Sequence, residues 1–222
     1  MSDNPQINLT TIDDYIQSLV PPDDALLHAL KTSEENGLPH INVSPNQGRL
    51  LYLLARLSGA KSILEIGTLG GFSTINLARA LPDGGKLISL EYSPKHAAVA
   101  QANIDYAGLS DKVEIRIGSG LDLLSQIAAN GEGPFDLFFI DADKENNPNY
   151  LDWSLKLSHP GSVILTDNVI RGGSVINPSP DDPTAQAVSK YNRALAANPR
   201  LESIFLPLAR ESIDGLSISI VK

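Results

Sequence analysis

Five short, β-rich apolar runs separated by single helical segments constrain this chain more than any other feature. The runs are Ser62–Ile66, Lys86–Glu91, Val113–Ile117, Leu137–Ile140 and Val163–Thr166. Between them, apolar residues recur at helical spacing near Ser73–Ala80, Pro94–Tyr106, Leu121–Ala129 and Asn147–Leu157. A strand that is followed by a helix before the next strand returns in the same direction, through a right-handed crossover. The expected class is therefore α/β, a doubly wound and mostly parallel sheet.

Both ends of the chain extend this core. Thr184–Ala197 reads as a helix, and Leu201–Leu206 and Leu216–Val221 read as two further strands that close the sheet as an antiparallel pair, seven in all. Asp214-Gly215 stands just ahead of the last of these. Up to Leu57 the pattern is helical. Thr10 or Thr11 is a candidate cap for Ile12–Leu19, Pro21-Pro22 interrupts, and Asp23-Asp24 opens a helix that ends near Gly37. Ser44-Pro45 starts the next helix with proline in the first turn, and Gly59 ends it. Pro178–Pro183 is a loop, and no repeat or composition break divides the chain. The expectation is a single domain over 1–222, with an N-terminal helical extension (1–58) and a core (59–222).

Composition narrows the function. Hydrophobic residues make up 42% of the 222, enough for a sizeable core. A net charge of -9 argues against nonspecific nucleic-acid binding, which needs a basic surface. The absence of cysteine excludes disulfides, thiolate zinc sites and cysteine nucleophiles. No apolar run approaches the roughly 20 residues of a membrane span. Met1-Ser2-Asp3-Asn4 lacks the basic and apolar regions of a signal peptide, so the expected compartment is the cytoplasm.

In open α/β sheets, ligands bind beyond the carboxyl ends of the strands. The first strand ends in Glu65-Ile66-Gly67-Thr68-Leu69-Gly70-Gly71-Phe72-Ser73. Leu69 breaks the dinucleotide pattern G-x-G-x-x-G, no P-loop lysine follows, and the acidic residue ahead of the loop disfavours an anion there. The second strand ends in Glu91, a carboxylate placed to accept both hydroxyls of a ribose. The third ends in Gly118-Ser119-Gly120, small enough for a flat ring. The fourth and fifth end in Asp141-Ala142-Asp143-Lys144 and in Asp167-Asn168. Neighbouring strands lie about 4.8 Å apart, so Asp141, Asp167 and Asn168 can share one hard cation. Two carboxylates and an amide oxygen suit Mg²⁺, Mn²⁺ or Ca²⁺. Taken singly, the same residues also suit a tight strand–helix turn, strand-end caps and a solvated lysine.

In order, Glu65-Ile66-Gly67-Thr68, Glu91, Asp141-Ala142-Asp143-Lys144-Glu145-Asn146 and Asp167-Asn168 resemble the cation-dependent O-methyltransferases of the caffeoyl-CoA and catechol type. The resemblance runs from about Ser44 to the end. It implies a Rossmann-like fold, S-adenosylmethionine as cofactor, a divalent cation (Mg²⁺ first), a homodimer, and O-methylation of a vicinal dihydroxyaromatic. By the same resemblance Glu65, Gly67, Thr68 and Ser73 line the methionine side of the cofactor, Glu91 holds the ribose, and Ser119 and Gly120 border the adenine. Asp143 and the backbone near Val43 complete that pocket. Asp141, Asp167 and Asn168 match the metal ligands, with Asp141 standing between metal and cofactor, and Lys144 matches the general base. The chain departs from its relatives at Gly70, Phe72, Asn147, Arg171, Gly172 and Ala209–Asp214, which alters the pocket rim and bears on the acceptor.

Two other readings share parts of this pattern. A nicotinamide-dependent oxidoreductase would use Glu91 and a glycine loop, and a nucleoside-binding sensor would need no metal and lysine set. His28, His40, His96 and His159 lack ligand spacing and read as core or surface residues, Trp153 as a packing residue, and Arg49 and Arg56 as a solvated face.

Overall fold

The computed structural model describes residues 9–209 and 212–222. Three helices come first: α1 (Leu9–Leu19), α2 (Asp24–Glu35) and α3 (Pro45–Ser58). The alternating core follows as β1 (Ser62–Ile66), α4 (Phe72–Ala80), β2 (Lys86–Glu91), α5 (Pro94–Tyr106), β3 (Val113–Ile117), α6 (Gly120–Ala129), β4 (Phe135–Ile140), α7 (Asn147–Lys156), β5 (Ser158–Asp167), α8 (Pro183–Ala197), β6 (Leu201–Ala209) and β7 (Ile213–Val221).

These strands form one mixed sheet in the order β3-β2-β1-β4-β5-β7-β6. β1 to β5 are parallel, β7 runs antiparallel to β5, and β6 antiparallel to β7. The winding reverses between β1 and β4, and there the strand ends open a crevice. This is the Rossmann-like sheet that the alternation and the resemblance predict.

Side chains alternate across a strand, and the two cores follow that parity. Ile63, Leu137, Phe139, Val163 and Leu165 face the layer of α3, α4 and α5. Leu64, Ile66, Phe138, Ile140 and Ile164 face the layer of α6, α7 and α8. The same count places Glu65, Asp141 and Asp167 together on the α3–α4 face. α4 is buried on nearly all sides because α2 and α3 pack over it.

Local signals act where expected. Asp23 and Ser44 cap α2 and α3 by accepting from the backbone N–H of Leu26 and Gln47, and Gly59 closes α3 at φ 68. Three expectations change. α1 begins at Leu9, so Thr10 and Thr11 lie inside the helix rather than ahead of it. β5 begins at Ser158 because Ser158 pairs with Phe135 before the register shifts to Leu137 and Val163. Asp214 and Gly215 lie inside β7, paired with Leu208 and Pro207, because the hairpin ladder continues out to Ala209 and Ile213. Among the described residues no helix is long and apolar enough to cross a membrane.

Candidate active site

A cavity of about 960 Å³ opens at the carboxyl ends of β1, β2, β3 and β4. Its floor exists because two strand ends touch backbone to backbone. Asp141 N–H donates to the Ile66 carbonyl at 2.8 Å. Gly67 has φ 101, and a Cβ there would lie 2.2 Å from the Asp141 carbonyl oxygen. Only glycine satisfies both conditions.

Glu91 braces the loops on either side of β2. One carboxylate oxygen accepts from the N–H of Thr68 (3.2 Å) and of Leu69 (2.8 Å). The other accepts from Ser93 N–H at 2.8 Å and lies 3.5 Å from His96 Nδ1. Glu91 still lines the cavity, so it both shapes the wall and offers charge to a ligand. Asp143 is similarly held, accepting from the Tyr150 hydroxyl and the Asn146 amide. Burial and this neighbouring carboxylate push the Tyr150 hydroxyl's pKa up. Tyr150 in turn packs within 3.2 Å of where a side chain on Gly120 would begin.

Of the residues predicted from sequence for cofactor, metal and catalysis, all but Glu65 and Asp167 line this cavity. Glu65 is fully buried one layer behind. Its carboxylate accepts from the hydroxyls of Ser73 (2.6 Å), Thr74 (2.5 Å) and Ser89 (2.6 Å). Burial pushes its pKa up to about 7, against the pull of those three hydroxyls. Glu65, expected on the methionine side, thus stands directly behind Ser73, which lines the cavity. Strand parity turns it under α4, where it supports Ser73 rather than facing the cavity.

The metal-type set stands at the next pair of strand ends. Asp141 and Asp167 each follow the last paired residues, Ile140 and Thr166, on the same face. Lys144 Nζ donates to Asp141 Oδ1 at 2.6 Å and is itself largely buried. Asp167 is buried, and its pKa is pushed up to about 7 by that burial and by the charge of Asp141, against the pull of Lys144. The amide of buried Gln47, on α3, is near enough to lower it somewhat, yet makes no hydrogen bond of ordinary geometry. Two carboxylates beside one ammonium, with orphaned amide atoms next to them, form an oxygen-rich place with negative charge to spare. That donor set fits a hard divalent cation. Among the described residues no three His, Cys, Asp or Glu side chains cluster around a metal position, since the third donor here is an amide.

Asn168, with φ 58, begins the loop after β5 and lines the cavity together with Arg171. Asn147 and Gly172, expected at the rim, do not line it. Asn147 is fully buried, with neither side-chain amide atom hydrogen-bonded, and Gly172 faces solvent.

Sequence reasoning missed several wall residues. Leu30 and Ser33 of α2 and His40–Asn42 close the cavity from the extension. The contact is tight, since a Cβ on Gly70 would meet Ser33 Oγ at 2.0 Å. His40 and His96 belong to the wall rather than to plain core or surface. Asp214 was missed as well. β7 runs antiparallel to β5, so its first residues arrive where β5 ends. The signal was a carboxylate followed by glycine at that point.

With this geometry in view, comparison with known proteins places the chain. A family model described as O-methyltransferase matches residues 19–219. A catechol O-methyltransferase of Niastella koreensis is 50% identical over 214 residues, covering 96% of this chain and 97% of its own. A catechol O-methyltransferase of Mycobacterium tuberculosis is 45% identical over 219 residues, covering 98% of both. Among solved structures, the O-methyltransferase from Bacillus cereus in complex with SAH superposes with a TM-score of 0.93 at 46% identity, covering 96% of this chain and 98% of that one. The chain belongs to the O-methyltransferase family, and it is an enzyme of methyl transfer to oxygen. The oxidoreductase and sensor readings are not favoured.

Proposed function

We propose that the protein is a cytosolic, divalent-cation-dependent enzyme that methylates one hydroxyl of a catechol-like aromatic, with S-adenosylmethionine as donor. One observation carries this reading: Asp141 and Asp167 meet on one sheet face at the edge of a cavity that also holds Lys144 and Asn168. The relatives named for catechol support the acceptor class, and the neighbour solved with SAH supports the cofactor.

The cofactor would lie along the wall from Gly67–Leu69 past Glu91 to Ser119 and Gly120, and it supplies the methyl group on a sulfonium. Glu91 suits the ribose hydroxyls, and Tyr150 and Asn146 hold Asp143 in one orientation beside it. Asp141, Asp167 and the Asn168 amide oxygen would hold the cation, which supplies charge that lowers the pKa of a substrate hydroxyl. Lys144 Nζ, 2.6 Å from Asp141 Oδ1, stands where a lysine in its neutral amine form would receive that proton. The wall contributed by α2 and by His40–Asn42 covers one side of the cavity, which would hold donor and acceptor in mutual reach. Arg171 at the rim suits acceptors that carry an anionic substituent. The exposed apolar side chains Tyr15, Leu19, Leu53 and Leu57 on the adjacent helices α1 and α3 suit a second copy of the chain, which light scattering tests.

The Asp167→Ala variant tests the reading. It should bind S-adenosylmethionine as the wild type does. Its catechol turnover should fall by more than the roughly 10–100-fold typical of losing an outer-shell partner. Unaltered turnover would overturn the metal assignment.

A further inference from the structure

Asp214, at the start of β7, makes four hydrogen bonds that the proposed chemistry does not use. One carboxylate oxygen accepts from the backbone N–H of Ile170 (3.2 Å), Arg171 (2.9 Å) and Gly215 (2.8 Å). The other accepts from the Asn168 side-chain amide at 2.9 Å. Gly215 makes this approach possible, since a Cβ there would lie 2.6 Å from the Ile170 side chain. The loop pays for the arrangement with two non-glycine residues in left-handed backbone, Asn168 at φ 58 and Arg171 at φ 48.

The chemistry of the pair sets a direction. An ionised carboxylate only accepts, so the edge of the Asn168 amide that faces Asp214 must be its NH₂. The amide oxygen then faces away from Asp214. Asparagine binds a hard cation through oxygen only, so an amide turned the other way would present N–H groups to the cation and contribute nothing.

We propose that Asp214 is a positioning residue that fixes the orientation of the Asn168 amide and so makes Asn168 an oxygen donor to the divalent cation. The inference rests on the metal reading of the site. It assigns a task to a residue outside the predicted ligand set, on a strand that contributes no ligand of its own.

The two carboxylate oxygens of Asp214 have separate tasks, which makes the test specific. In Asp214→Asn the remaining oxygen can still accept from the three backbone N–H groups, while the new NH₂ opposes the NH₂ of Asn168. The Asn168 amide should turn over. Mn²⁺ affinity, read from the free-ion signal in electron paramagnetic resonance, should fall by about 10–100-fold, the range for lost outer-shell support. Affinity for S-adenosylmethionine by calorimetry should stay within a few-fold. In an Asn168→Ala background, Asp214→Asn should cost nothing further, since no amide remains to orient. The swapped pair, Asn168→Asp with Asp214→Asn, restores an acceptor facing a donor and should recover most of the affinity. Mn²⁺ bound by Asp214→Asn as tightly as by the wild type would overturn the inference. So would an undiminished further loss in the Asn168→Ala background, or no recovery in the swap, because either marks a merely structural role. A wild type that binds no Mn²⁺ would instead overturn the metal reading on which the inference stands.

Discussion

Replacing Glu65 by glutamine should make the stability of the protein less dependent on pH, and the size of the effect follows from its surroundings. Glu65 is fully buried, and burial raises its pKa from 4.5 to about 7 despite hydrogen bonds from Ser73, Thr74 and Ser89. Between those values the native state keeps a proton that the unfolded chain has released. Stability therefore falls as pH rises through the window and levels off above about 7. A shift of this size corresponds to roughly 3 kcal/mol. Glutamine is close in shape to the protonated acid and stays neutral. Below the window the variant and the wild type should be nearly equal, and at pH 8 the variant should be more stable by about 3 kcal/mol. The assay is urea unfolding from pH 4 to 8, with EDTA present and no cofactor. Asp167, also raised to about 7, contributes a slope of the same sign. It is common to both proteins and cancels in the difference. A difference that stays flat across this range would refute the reasoning, because Glu65 would then hold its charge throughout.

Other outcomes follow from the same geometry. Gly67→Ala should abolish cofactor binding in calorimetry, since its Cβ would stand 2.2 Å from the Asp141 carbonyl oxygen at φ 101. Tyr150→Phe removes the hydroxyl that holds Asp143, and should weaken S-adenosylmethionine binding by about 10-fold, the worth of one hydrogen bond to a charged group. Arg171→Ala should raise KM about 10-fold for a carboxylate-bearing catechol and leave KM for neutral catechol unchanged, as expected for one lost charge-assisted contact.

Much of this site was legible because the sheet is periodic. Five strand ends in order named the carboxyl edge, and three of them (Glu91, Asp141 and Asp167) ended in carboxylates. Parity also gives the face that Glu65 takes. It shares a face with Ile63, pairs in register with Ser89, and lies under the hydroxyls of Ser73 and Thr74. The methionine-side role of Glu65 came from the resemblance alone, not from this geometry. Other features left no such mark. Leu30 and Ser33 reach the cavity only through the packing of α2 over α4 and α5, and amphipathic spacing does not say which groove a helix will fill. Asp214 carried a signal in the Asp-Gly pair, but its meeting with the end of β5 depends on the β5–β7 pairing, which that pair does not give. Gln47 lies in the first turn of α3, and its approach to Asp167 follows from that helix's docking.

The most direct test of the account is transfer of a labelled methyl group from S-adenosylmethionine to catechol by the purified protein. The assay is run with Mg²⁺, with EDTA, and with Mg²⁺ restored in excess over EDTA. The account predicts label in the methylated phenol with Mg²⁺, its loss in EDTA and its return on restoration. Transfer that continues undiminished in EDTA would contradict it.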